Sequence, residues 1–531
     1  MLSLLPIALL LLSATALQVV GRVTRRAGGT WLLAAVFGFI TWLSVILVGI
    51  LLPPAVIIDN WLPPPYQFTS LTFQLTRETW VLGFLLVSQL LAVIYFNSRY
   101  LETPNFLNKI TDSMVLTAFG LLAVLSRSPL AFVLTWSLLD LAEIGVLTAT
   151  RGYASENRSP LNAVLLRALG IILLVLFITI SPHQGLQSAE MKPLMVWLLF
   201  IIVLLRLEFL PILQDQTVEH QLRRGFQTLL RTLPLISAFA FMNIIPGFAL
   251  PDKSLQWALV ALTIAAIYGS LLWFFSQDEL TARPYWFFAI GSLGMIAFLT
   301  NRVEALAGLA VVAVSTGTGI FLFSPRVQKR FAFLPFLLAG LLALPFTPTA
   351  ALSLLFDPGA VRYYQVLAVP AYALLLAGVF KHGFRKDDEP GPEEPWIGLF
   401  HNISLYFIAL APWIIVGAMW EMVNLRVIWW LSLSIFLLTA ILSALYFLLK
   451  KRPLNLKIPL QKTLAGIVRG FRIIDQIFRL TWLAKLLSSL GFVVRKAANL
   501  LMRVLEGDGG VLWSFLFLVL LISLLIPRQA P

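Results

Sequence analysis

Residues 78–97 read ETWVLGFLLVSQLLAVIYFN, and the one formal charge in the stretch is Glu78 at its start. Coiled as an α-helix, a run of about 20 residues is about 30 Å long, the thickness of a bilayer's hydrocarbon core. In hydrocarbon every backbone amide must find its partner within the protein, so only helices and closed barrels cross it. Barrel strands would alternate apolar and polar positions over about ten residues. This run does not alternate; it reads as a helix surrounded by apolar material.

Outward from it the same pattern repeats. Of the 531 residues 59% are hydrophobic and 12% charged, too little charge to cover a water-soluble protein of this size. Spans are expected near 1–20, 30–52, 78–97, 113–126, 129–150, 160–181, 193–213, 228–250, 255–275, 284–300, 303–323, 331–352, 360–380, 396–418, 425–449 and 510–527. The predicted fold is therefore an all-α, polytopic transmembrane bundle of about fifteen or sixteen spans. The first twenty residues have the length of a signal peptide, but Arg22, Arg25 and Arg26 follow the apolar run instead of preceding it, so a retained first helix is expected.

The basic residues sort by connection. Counted in order, the odd connections carry Arg22/Arg25/Arg26, Arg99/Lys109, Arg151/Arg158, Arg223/Arg224, Arg283, Arg326/Lys329/Arg330, Lys381/Arg385/Lys386 and Lys450/Lys451/Arg452. The even ones carry about one basic residue each. The positive-inside rule puts the odd connections in the cytoplasm and both termini on the opposite side. The net charge of +14 is then explained by topology and anionic lipid headgroups, and nucleic acid is not an expected partner.

Three regions follow: a helical bundle over 1–449, an amphipathic element over 450–509 and a C-terminal anchor span within 510–531. From about Lys457 to Glu506, Leu464, Ile467, Val468, Phe471, Ile474, Ile477 and Phe478 recur at helical spacing, opposite Arg469, Arg472, Gln476 and Arg479. Such a helix is too polar on one face to span; it lies along the cytoplasmic headgroups or a neighbouring protein.

Ionisable groups inside apolar spans mark ion pathways or structural pairs. Asp140 and Glu143 share one face of the fifth span, Arg167 lies about two turns into the sixth, and Arg206 and Glu208 stand near the end of the seventh. These five are the candidate charge network. Arginine keeps its proton at any physiological pH, so Arg206 is an electrostatic partner and a poor relay. Arg231 and Glu304 open the eighth and eleventh spans, Glu304 at the interface. Gly291, Gly294, Gly317 and Gly319 are expected at close helix contacts. There is no cysteine, which excludes thiolate metal sites, iron–sulfur ligation and disulfides. The four histidines lie in or beside expected loops and offer no pair of haem ligands. No cofactor and no metal site is expected, and any electron transfer belongs to another subunit. An alternative, a membrane glycosyltransferase, would need acidic residues in an external loop, where only Asp59 and Glu78 are on offer.

Several segments carry a family resemblance. Leu71–Phe73 leads into a span closing on Tyr95-Phe96-Asn97-Ser98-Arg99-Tyr100. Leu121–Ser126 is followed by Leu134-Thr135-Trp136-Ser137. Arg206 to Pro211, Ser237-Ala238, and Asp278 to Tyr285 before Gly291-Ser292-Leu293-Gly294 come in order and at matching spacing. Over about residues 65–380 the chain resembles the antiporter-like, proton-translocating membrane subunits of respiratory complex I, shared with membrane-bound hydrogenases and multisubunit sodium/proton antiporters. The lateral helix and last anchor are similar to the distal complex I subunit, with a much shorter lateral element. The resemblance implies membership in a multisubunit complex of NADH:quinone oxidoreductase, hydrogenase or antiporter type, with other membrane subunits as partners, in a prokaryotic cell inner membrane. It also implies a degenerate proton path. The family's fifth-helix glutamate position is Ser137, with Asp140 one turn on; the seventh-helix lysine position is Arg206. The eighth-helix lysine or histidine is missing, with Met242, Asn243 and Pro246 in that region, and the histidine expected after Pro211 is Leu213. A purely structural assembly subunit is the alternative within the same fold.

Overall fold

The computed structural model describes residues 2–24, 27–58, 70–101, 106–150, 159–180, 193–207, 224–245, 248, 250–322, 334–356, 363–384, 394–418 and 429–451, with positions 489 and 496. Apart from those two positions, the amphipathic stretch lies outside the described residues, as do the terminal anchor span and Glu208.

The chain is an integral membrane protein built of helices. A short 3-10 turn, Leu2–Leu4, opens α1 (Leu5–Thr24), followed by α2 (Ala27–Leu51), α3 (Arg77–Phe96), α4 (Phe106–Leu125), α5 (Pro129–Thr150), α6 (Ser159–Ile180), α7 (Pro193–Arg206) and α8 (Gly225–Asn243). Then come α9 (Asp252–Phe275), α10 (Glu279–Leu299), α11 (Glu304–Val311), a π turn (Val312–Thr316), α12 (Gly317–Leu322), α13 (Leu334–Leu341), a 3-10 turn (Ala350–Phe356), α14 (Tyr363–Gly383), α15 (Pro395–Ala418) and α16 (Trp429–Lys451). Among the described residues, ten helical stretches are long and apolar enough to cross a membrane.

Local sequence sets the ends. Thr76 and Thr79 form a reciprocal cap at the start of α3, Thr76 N–H donating to Thr79 Oγ1 at 3.0 Å and Thr79 N–H to Thr76 Oγ1 at 3.5 Å. Asp278 caps α10 by accepting from Thr281 N–H at 3.2 Å. Three features depart from the sequence reading. The fourth span starts at Phe106, not near 113, because the turn carrying Lys109 is buried in the bundle. A small antiparallel hairpin pairs β1 (Val56–Ile58) with β2 (Leu71–Phe73), Val56 opposite Phe73. The twelfth span is not continuous: helix stops at Leu341 and resumes as a 3-10 turn at Ala350, with Pro345 and Pro348 between them. Each proline lacks the amide that would continue the ladder.

Two sets of consecutive helices, α4–α8 and α9–α14, are closed in the same way. In the first, α4 packs on both α5 and α8; in the second, α9 packs on both α10 and α14. Helix α3 runs against α4, α8, α11 and α15 and is buried almost throughout. Helices α1, α2 and α16 keep large apolar side chains outward, among them Leu12, Val19, Ile50, Leu433, Ile441 and Leu448, as lipid-facing or partner-facing elements do.

Indole rings tie neighbouring helices. Trp31 Nε1 donates to Ile94 O at 2.9 Å, Trp42 Nε1 to Ser88 Oγ at 3.0 Å, Trp80 Nε1 to Val45 O at 2.9 Å and Trp273 Nε1 to Leu375 O at 3.1 Å. Two of these rings lie over glycines one turn from the acceptor: a Cβ on Gly49 would fall 1.9 Å from Trp80 Nε1, and one on Gly378 2.3 Å from Trp273 Nε1. Trp273 is itself fixed by Trp286 at 5.1 Å and cannot swing aside. Gly378→Ala is therefore expected to destabilise the chain by about 1–3 kcal/mol, an overpacking cost. The check is denaturation in detergent followed by tryptophan fluorescence; an unchanged midpoint would refute it. Gly294 and Gly317 are close contacts of the expected kind, against Phe239 and Trp286, and Gly319 meets Leu337.

Candidate functional site

Helices α5, α6 and α7 each bring ionisable side chains to one buried place, and α8 closes it. Arg206, the last residue of α7, directs Nη1 to Asp140 Oδ1 and Oδ2, both at 2.9 Å, and Nε to Ser237 Oγ at 3.1 Å. Its Cζ sits 4.8 Å from the Trp136 ring centroid, one turn before Asp140 on α5. Arg167 on α6 places Nη2 2.7 Å from Glu143 Oε2, and its Nε 3.8 Å from Asp140 Oδ1. The side chains of Arg167 and Arg206 are 0% and 1% exposed, those of Asp140 and Glu143 5% and 10%.

Two guanidiniums face two carboxylates, so the quartet is neutral as a whole. That balance is what makes burial tolerable, since a lone buried charge is costly and a paired one is held by its partner. The position at the end of α7 adds to it, because the carbonyl end of a helix favours a cation. Of the five residues expected from the sequence, four meet here, and Glu208 lies outside the described residues. Ser237 and Trp136 complete the site; both stand in segments that carried the family resemblance, and neither is ionisable.

A second buried polar centre lies elsewhere along α8. Arg224 Nη1 is 3.2 Å from Glu279 Oε1, and Arg283 donates from Nη1 to Thr228 Oγ1 and from Nη2 to Gln227 Oε1, both at 2.9 Å. Arg224, Glu279 and Arg283 are 3%, 5% and 0% exposed. The sequence reading had Arg224 and Arg283 as loop charges; they are inside because α10 begins at Glu279 and carries Glu279 and Arg283 one turn apart. On α8, Thr228 and Thr232 stand between this centre and Ser237. Thr232 Oγ1 donates to Gln89 Oε1 at 2.6 Å, and Gln89 Nε2 to Thr318 Oγ1 at 3.0 Å. These are neutral groups that hold hydrogen bonds without changing charge.

His382 and His401, expected at loops, are buried in α14 and α15 at 4% and 0% exposure. His382 Nε2 lies 3.2 Å from Trp273 O and 3.3 Å from Ser276 Oγ, while Lys381 Nζ donates to Phe274 O and Ser276 O at 2.6 Å, so the pair caps the end of α9. Glu304 is exposed at the start of α11, as expected. Glu78 lies in the first turn of α3, and Asp59 is outside the described residues. No group of three or more His, Asp or Glu suited to a metal occurs among the described residues.

No protein-family model matches the chain, and no curated protein matches it in sequence. Solved structures do match in fold. A chain of respiratory complex I from Thermus thermophilus with bound NADH aligns with TM-score 0.59 at 15% identity, covering 82% of this chain and 99% of that one. A chain of the Mrp complex from Dietzia sp. aligns with TM-score 0.62 at 13% identity, covering 93% of this chain and 63% of that one. A chain of the membrane-bound sulfane sulfur reductase, an archaeal respiratory membrane complex, aligns with TM-score 0.58 at 12% identity, covering 82% and 99%. The fold of this chain is thus the one shared by these chains of the respiratory and Mrp complexes.

Proposed function

We propose that the chain is a membrane subunit of a multisubunit ion-translocating complex of NADH:quinone oxidoreductase, hydrogenase or cation/proton antiporter type, with a degenerate proton path. The shared fold supports the assembly, and the helices facing outward with large apolar side chains offer surface for neighbouring membrane subunits. The observation that carries the second half of the reading is the contact of Arg206 with both Asp140 oxygens, beside Arg167 on Glu143. A relay needs groups that gain and lose protons, and two guanidiniums paired with two carboxylates do not supply them. The quartet is a fixed electrostatic clamp joining α5, α6, α7 and α8. The basic face over 457–506 belongs, on this reading, against anionic headgroups or a neighbouring subunit in a prokaryotic inner membrane, with both termini outside. Redox cofactors sit on other subunits.

The test is Asp140→Asn in the complex purified with its partners and reconstituted in vesicles. Normal assembly with unchanged ion translocation per turnover is the expected result. Normal assembly with translocation reduced by about tenfold or more would overturn the clamp and make Asp140 part of a working path.

A further inference from the structure

At one end of the bundle the start of α1, the end of α2, the start of α3 and the end of α4 enclose a crevice of about 320 Å3, counted to its open mouth. Ile7, Val45, Val48, Trp80, Leu121 and Val124 are among its walls, each at most 6% exposed. Inside, the centre of a water-sized group has about 20 Å3 to move in. The indole N–H in the wall is already spent, because Trp80 Nε1 donates to Val45 O at 2.9 Å. Ser3, in the turn that opens α1, also lines the crevice. At 1% exposure its Oγ has no hydrogen-bond partner.

Apolar walls alone select nothing in a membrane, because lipid tails are as apolar as leucine. The hydroxyl does. An unbonded polar group buried in an apolar wall costs free energy, and an acceptor carried in by a ligand relieves it. Size and polarity then sort the occupants. A buried water takes about two to four polar partners, and these walls offer it Ser3. A ring is excluded, since cavities that hold benzene are about 150 Å3. One unbranched chain fits the width, with an oxygen at its polar end to accept from Ser3. Ser3 lies at the same end of the bundle as the first turn of α3 and the last turns of α2 and α4. That is the edge of the hydrocarbon core, where the ester carbonyls of glycerolipids lie.

We propose that this crevice binds one ester-linked acyl chain of a membrane glycerolipid, with the Ser3 hydroxyl donating to the ester carbonyl and the first methylenes lying along Ile7, Val45, Val48 and Val124. A chain held there touches α1, α2, α3 and α4 together, as a bound ligand and not as one more tail of the surrounding bilayer. The proposal stands apart from the complex-subunit reading and is tested on the single chain.

The experiment titrates the purified, delipidated full chain in detergent with a phosphatidylcholine carrying brominated acyl chains, and with its ether-linked counterpart, which lacks the carbonyl. Bromine quenches tryptophan on contact, and Trp80 stands in the wall. Saturable quenching by the ester lipid is expected, with an affinity about three- to tenfold above that for the ether lipid. In Ser3→Ala the two lipids should bind equally, at the ether lipid's affinity. Val48→Phe, which fills the crevice, should abolish the saturable phase for both; if it fails to fold, the ester–ether comparison in Ser3→Ala decides alone. Quenching that never saturates, equal affinity of the two lipids for the wild-type chain, or a difference that survives Ser3→Ala would overturn the site. A saturable phase that persists in folded Val48→Phe would put the lipid elsewhere on the chain and overturn it as well.

Discussion

Asp140→Leu is expected to lower the chain's stability by about 3–5 kcal/mol, while Asp140→Leu with Arg206→Leu returns it to within about 1 kcal/mol of wild type or above. The single change leaves the Arg206 guanidinium at 1% exposure with Ser237 Oγ as its nearest acceptor and the Trp136 face beside it. Cation–π contact contributes about 2 kcal/mol or somewhat more in a dry site, which does not make good the loss of about 3–5 kcal/mol on breaking a buried pair. Arg167 keeps Glu143 at 2.7 Å in both variants, so the remaining pair stays neutral. In the double variant a desolvated ion pair gives way to apolar packing, which is often neutral or stabilising. Equilibrium unfolding in mixed micelles measures both. A double variant no more stable than the single one would mean that Asp140 acts through Arg167, at 3.8 Å, and that Arg206 is not its main partner.

The bundle was legible because hydrocarbon leaves so few options. The run 78–97 became α3 within a residue at each end, and its neighbours followed by the same rule. The quartet was legible for a related reason: ionisable groups are rare in apolar runs, so Asp140, Glu143, Arg167 and Arg206 stood out before their pairing was known. What escaped were features in which the average of a stretch hides a local cause. Over 331–352 the apolar average stays high, and Pro345 and Pro348, the actual signal for the break, were averaged away. Arg224 and Arg283 fitted a loop-charge pattern that says which end of the bundle they occupy and nothing about burial. The spacing of Glu279 and Arg283, one helical turn apart, was the available clue that α10 starts earlier. The β1–β2 hairpin had no such clue; its three-residue strands are too short for period-two alternation to register.

Glu279→Leu is expected to cost about 3–5 kcal/mol for the same reason as Asp140→Leu, because Arg224 at 3% exposure loses the carboxylate 3.2 Å from its Nη1. Arg224 keeps its contact of 3.4 Å to Phe321 O, and a neutral carbonyl does not offset a full charge in a dry site. Arg283 is held by Gln227 and Thr228 and stays in place. The two centres are anchored at Arg224 and Ser237, thirteen residues apart on the same helix, which at 1.5 Å per residue is about 20 Å. At that separation their effects are expected to add to within about 0.5 kcal/mol. Two leucine substitutions together would approach the whole stability of a folded chain, about 5–15 kcal/mol, so the additivity is read with Asp140→Asn and Glu279→Gln. A coupling well above 0.5 kcal/mol would mean that the neutral seam of Thr228, Thr232 and Gln89 transmits between the centres. Additivity would establish two independent clamps on α8, each neutralised on its own, and that is the arrangement expected of a bundle that holds its charges in place.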